Sequence, residues 1–330
     1  MSGGGLVLLY HRVDESVLDP QLLAVSPRRF AEHLEILRQT ASPMSLREML
    51  AAAQEGRLPP RAVALTFDDG YRDNLENAKP LLERSGIPAT VFVATGYLNG
   101  TRELWWDALE RIFLSTARLP ESLHLQTGDQ RFCWQLGESA VCGEADLNGI
   151  TKWNVLSPEC PSARARLYAS LCDLLRPLRD SERERLLEEL SRWSSVRRTP
   201  RSSHRIMSRE DVGRLCSGGL IDVGAHTVTH PVLSAISPEE QAWELAVSRS
   251  SLEAILDRPV VTLSYPYGTR KDYTATTIRL AREAGYDQAC ANFRGLVGGE
   301  VDAFQWPRIV VRDWDADTFA RRIDEEWSGG

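Results

Sequence analysis

The sequence predicts an α/β protein built on a parallel sheet, and three observations carry that reading. Short, near-continuous apolar runs recur along the chain, as expected of strands covered on both faces. Helix start and stop signals lie between those runs. Ionisable side chains follow directly on the runs, where parallel α/β folds bind ligands.

The predicted strands are Gly5–Leu9, Ala62–Phe67, Ala89–Ala94, Leu220–Val223, Val260–Leu263, Gln288–Asn292 and Arg308–Val311. Ser45-Leu-Arg-Glu48 and Ser237-Pro-Glu-Glu240 have capping-box spacing and start helices. Pro80 and Gly86 bracket another helix, and Gly285 closes one that begins near Ala275. Strand–helix alternation implies βαβ units, closed into a barrel or left as an open sheet.

The rhythm breaks between Thr101 and His204. Leu104–Ala117, Ala163–Leu178 and Glu182–Trp193 read as helices, and Leu123–Leu136 as a hairpin around Thr127-Gly128-Asp129. The expectation is a discontinuous barrel, residues 1–100 and 205–330, with 101–204 a mostly helical insertion that lines or caps the active site.

With 39 Lys+Arg against 46 Asp+Glu, the 330 residues carry a formal charge of −7, so no broad basic face for nucleic acid is expected. No run of about 18 apolar residues occurs, so no membrane span is expected either. Leu6–Tyr10 is too short for a signal segment and no basic stretch precedes it. The six cysteines show no Cys-x-x-Cys spacing. Together these features lead us to expect a cytoplasmic protein with reduced thiols.

His226-Thr-Val-Thr-His230 is the sharpest chemical signal. Spacing i, i+4 places both imidazoles on one face of a helix and falls within the range of zinc sites, although a helix start with two surface histidines reads equally well. No carboxylate stands between them, so a base must come from another strand end. Asp68-Asp69 offers one, and an Asp-Gly turn is the ordinary alternative.

Taken together, Thr66-Phe67-Asp68-Asp69-Gly70, His226-Thr-Val-Thr-His230 and Tyr265-Pro266-Tyr267-Gly268 resemble the motifs of the polysaccharide deacetylases, the NodB-homology group or carbohydrate esterase family 4. The resemblance covers roughly residues 5–100 and 205–320. It implies a distorted (β/α) barrel that binds one divalent ion, usually zinc, and removes N-acetyl groups from amino sugars. Asp69, His226 and His230 would then be metal ligands, Asp68 the general base, and the Tyr267 backbone N–H an oxyanion donor.

The sequence departs from that pattern twice. The third motif often opens with an arginine that holds the base; Ser264 stands there instead, and Arg308 is the candidate replacement. No histidine follows His230, so the leaving-group acid is sought in His11, because a barrel sets its first strand beside its last. Asp313 is a candidate to orient His11, and Trp105, Trp106 and Trp314 are candidates to contact sugar. The expected substrate is an acetylated sugar or small molecule. The alternatives are a C–N hydrolase of non-sugar amides or imides and an inactive glycan-binding barrel.

Overall fold

The computed structural model describes residues 4–298 and 301–328. Leu6–Tyr10 (β1) is buried along its whole length. Two short strands follow, Arg12–Val13 (β2) and Ala24–Val25 (β3), paired in parallel. Pro27–Thr40 (α1) begins with proline in its first turn and buries Phe30, His33, Leu34 and Leu37, the spacing of one helical face. Ser42–Pro43 (β4) leads to Leu46–Gln54 (α2), which starts on the Ser45/Glu48 capping box. Ala62–Phe67 (β5), Lys79–Ser85 (α3) and Ala89–Val93 (β6) complete this stretch, with Gly86 ending α3 in the left-handed conformation.

The chain then enters a second compact unit, made of residues 101–204 together with 16–22. It contains Trp105–Phe113 (α4), an antiparallel hairpin of Ser122–Thr127 (β7) and Gln130–Gln135 (β8), and the helices Glu144–Lys152 (α5), Ala163–Leu175 (α6) and Asp180–Ser194 (α7). Helix α5 carries no strong sequence signal because it includes Asn148-Gly149; Asp146 stabilises its start by accepting from the Gly143 N–H. Helix α4 packs on α6 and α7, with Phe113 stacked on Trp193 of α7 and Leu109, Leu171 and Leu190 buried. Residues 16–22 join this unit through Pro20, whose carbonyl accepts from Val155 N–H, and Gln21, whose amide donates to Tyr168 Oη at 2.8 Å.

The first unit resumes with Arg209–Cys216 (α8), Ile221–Ala225 (β9), Pro238–Leu256 (α9), Thr262–Ser264 (β10), Ala275–Glu283 (α10), Gln288–Cys290 (β11), Ile309–Val310 (β12) and Ala316–Ser328 (α11). Its eight-stranded sheet runs β11-β10-β9-β6-β5-β1-β12 with β4 added on β5, and every pairing is parallel. The sheet curls until its two ends share one segment: Ile309–Val310 pairs with β1, while Trp306 bridges to Cys290 of β11. This is a distorted (β/α) barrel. Val7, Ala64, Phe92, Cys290 and Trp306 belong to its buried apolar core.

Candidate active site

Strand register assembles the site. Tyr10 pairs with Phe67, so the chain leaves β1 and β5 together and puts His11 and Asp68 side by side; the Asp68 N–H donates to the Tyr10 carbonyl at 3.0 Å. Val93 pairs with Ala225, and Ala225 with Leu263, so His226 and Ser264 also leave the sheet at one level. Every candidate ligand therefore sits at the carboxyl rim of the sheet, where a parallel barrel carries its chemistry.

Asp69, His226 and His230 are buried, and each offers a ligand atom within 4.8 Å of the other two. His226 Nδ1 lies 2.8 Å from the Ser264 carbonyl, which can only accept, so the proton sits on Nδ1 and the Nε2 lone pair is directed elsewhere. Asp69 Oδ1 is 3.6 Å from His226 Nε2 and 3.4 Å from His230 Nε2, and this buried oxygen accepts no hydrogen bond. Donors held about 2.1 Å from a tetrahedral ion stand roughly 3.4 Å apart, so the three residues fit a divalent metal.

Beside this trio Arg308 holds Asp68 in a fork. Its Nη1 donates to Oδ1 at 2.8 Å and its Nη2 to Oδ2 at 2.7 Å, in full burial. Arg308 also donates to Ser264 Oγ and the Ala291 carbonyl, and Ser264 Oγ in turn donates to Asp68 Oδ2 at 3.1 Å. The serine in the motif position and the arginine directly before the last strand thus hold the same carboxylate. Burial raises the carboxyl of Asp68, but the Arg308 guanidinium and the neighbouring histidines outweigh it and hold it well below the usual range. Asp69 lacks such a partner and is raised by burial. Burial lowers His226 and takes His11 down to about 4, with Asp69 and Asp68 opposing the shift at His11.

The rim is conformationally strained. Asp69, Thr227, His230 and Tyr267 all have positive φ, at +74°, +63°, +56° and +59°. Non-glycine residues adopt such angles at a cost of about 1–3 kcal/mol each, which the surrounding contacts must offset. Gly70 follows at φ +82°, and a Cβ there would press on Val93 Cγ1 at 3.0 Å.

Several expectations need correction. His226 and His230 share no helical face: they lie on an irregular loop after β9, and two left-handed residues bring the imidazoles together, with ring centroids 4.8 Å apart. Asp313 does not orient His11; it accepts from Ser26 N–H and Oγ at the start of α1 and pairs with Arg29. Trp105 and Trp106, 4% and 6% exposed, meet edge to face inside the second unit and offer almost no open ring face. Trp314 is half-buried with the Arg322 guanidinium over its ring. Tyr267 reaches the site, its ring edge-on to His230 at 4.7 Å. Glu244 on α9, whose carboxylate accepts from the Val228 and Thr229 N–H groups, carries no sequence signal, because nothing distinguishes one glutamate in a long charged helix.

A parallel barrel with its polar side chains gathered at the strand carboxyl ends is an enzyme architecture. The chain carries a polysaccharide deacetylase domain: that family's profile matches residues 55–116 and 196–289. A poly-beta-1,6-N-acetyl-D-glucosamine N-deacetylase of Staphylococcus aureus is 32% identical over 107 residues. That alignment covers 28% of this chain and 37% of the relative, about a third of its length. The fold is shared with IcaB from Ammonifex degensii, at TM-score 0.58, 20% identity and coverage of 98% of this chain and 97% of that one. It is also shared with the Streptococcus pyogenes deacetylase PplD, at TM-score 0.56, 17% identity and coverage of 97% and 98%.

Proposed function

We propose that this protein is a metal-dependent N-deacetylase that hydrolyses the acetamide of an N-acetylated amino sugar, releasing acetate and a free amine. One observation carries the reading: three ligand atoms within 4.8 Å of one another lie beside a carboxylate held by a buried arginine. Asp69, His226 and His230 would hold the ion. A divalent ion such as zinc, when bound, acidifies water to a pKa of about 7 and polarises a carbonyl, the two requirements of an unreactive acetamide.

The residues of the chain do the rest. Asp68 is ionised across the neutral range and takes the proton of the attacking water on its carboxylate. Arg308 and Ser264 fix the direction of that carboxylate and keep it charged. The Tyr267 backbone N–H is assigned to the developing oxyanion. His11, neutral near pH 7 in the free site, protonates the leaving nitrogen with the proton that Asp68 has taken from the attacking water and passes on, which leaves both groups as they began.

Acetate release is the direct test, measured on N-acetylglucosamine oligosaccharides, N-acetylated sugar nucleotides and small non-sugar amides. Acetylated sugars should be the best substrates, and turnover of the small amides alone would sink the sugar assignment. Asp68→Asn should retain zinc and lose activity by at least ~100-fold; a variant of undiminished rate removes Asp68 as the base.

A further inference from the structure

The loop that carries both histidines is buried yet belongs to no helix or sheet, so its backbone polar groups need partners from elsewhere. They find them on two sides. From the 3₁₀ turn that follows β6, Thr95 N–H donates to the Thr227 carbonyl at 3.0 Å and Gly96 N–H to the Val228 carbonyl at 2.8 Å. From α9, the Glu244 carboxylate accepts Val228 N–H at 2.7 Å, Thr229 N–H at 2.9 Å and the Thr229 hydroxyl. Inside the loop, His230 N–H donates to Thr227 Oγ1 at 3.1 Å.

Glu244 is 5% exposed, and it accepts three hydrogen bonds from the residues between His226 and His230. Two backbone N–H groups converging on one carboxylate oxygen require Val228 and Thr229 to be turned inward together. That turn is what lets Thr227 and His230 occupy left-handed angles. Gly96 closes the other side, where a Cβ would stand 2.7 Å from the Val228 carbonyl oxygen.

We propose that Glu244 is a positioning residue for metal binding: its carboxylate locks the 227–229 backbone so that both imidazoles face Asp69 before any ion arrives. It touches neither ion nor substrate. The inference rests on the metal reading of the site given above.

The test is zinc affinity measured by chelator competition, together with the visible absorption of the cobalt-loaded protein, on the full chain. Glu244→Gln keeps the side chain's size but loses the charge that gathers three donors. It should weaken zinc binding about 10–100-fold, the effect typical of groups that orient metal ligands, and should alter the cobalt spectrum. Thr229→Val removes only the hydroxyl contact and should weaken zinc binding less, in a protein that keeps its fold. Glu239→Gln, an exposed change on the same helix, should leave affinity and spectrum as they are. If Glu244→Gln fails to fold, Thr229→Val decides, and unchanged affinity there overturns the proposal. Wild-type zinc uptake with unchanged affinity in Glu244→Gln overturns this role alone. A wild-type protein that takes up neither zinc nor cobalt overturns the metal reading with it.

Discussion

Removing Arg308 should cost the barrel more than any other single substitution at the rim. In Arg308→Met the side chain keeps most of its bulk, but Asp68, only 4% exposed, loses two charge-assisted hydrogen bonds of 2.8 and 2.7 Å that bulk solvent does not readily replace. Hydrogen bonds to charged groups contribute about 1.5–3 kcal/mol each, which gives about 3–6 kcal/mol for the fork. Breaking a buried ion pair by deleting one partner costs about 3–5 kcal/mol, which agrees. Urea unfolding of the metal-free protein, followed by a probe in the first unit, should show that loss at pH 8. The double variant Asp68→Asn/Arg308→Met should recover much of it, because the stranded charge is gone. Arg308→Lys should recover little, since one ammonium cannot reproduce the fork. A midpoint for Arg308→Met within experimental error of the wild type, or a double variant less stable than the single one, would refute the reasoning.

Three further predictions follow from other parts of the molecule. His33 is fully buried, stacked on Phe319 at 4.0 Å and bonded to the Trp314 carbonyl; burial takes it to about 4. Between pH 6.5 and 4 the unfolded chain binds the proton that the folded one refuses. Stability should therefore fall as pH drops through that window, by up to about 3 kcal/mol. Urea midpoints of wild type and His33→Gln should diverge across it, and parallel curves would remove His33 as the cause. Arg164, buried in the second unit, donates to the carbonyls of Phe113, Thr116, Ala117, Ser139 and Ala140. Arg164→Met should destabilise that unit by about 3 kcal/mol or more while zinc affinity at the rim stays constant, read by limited proteolysis and chelator competition. Gly96→Ala should lower stability by about 1–3 kcal/mol and weaken zinc binding as well, because its methyl displaces the Val228 carbonyl; unchanged zinc affinity would show that the loop adapts.

Much of the fold is legible in the sequence because its signals are local. Apolar runs such as Ala62–Phe67 fall on buried strands, and the Ser45/Glu48 and Ser237/Glu240 boxes cap helices. The pairing of β1 with β12 follows from barrel closure, and it brings Arg308 to Asp68 across 240 residues. Helix α5 stays hidden because Asn148-Gly149 interrupts its better helix formers and the Asp146–Gly143 contact sustains its start.

By itself the sequence determined the alternation of strands and helices, and it singled out Asp68, Asp69, His226 and His230 as candidates for the proposed metal and proton chemistry. These are matters of residue type and spacing along the chain. The tertiary structure alone decided how they converge. The spacing of the two histidines looked helical, yet left-handed residues on a loop held by Glu244 and Gly96 bring them together. Asp313 and the two tryptophans of α4 had suitable chemistry, but their neighbours turned them to a helix start and an apolar core. The physical reason is range: periodicity and capping act over a few residues, whereas burial and hydrogen-bond satisfaction depend on partners that only the folded chain brings together.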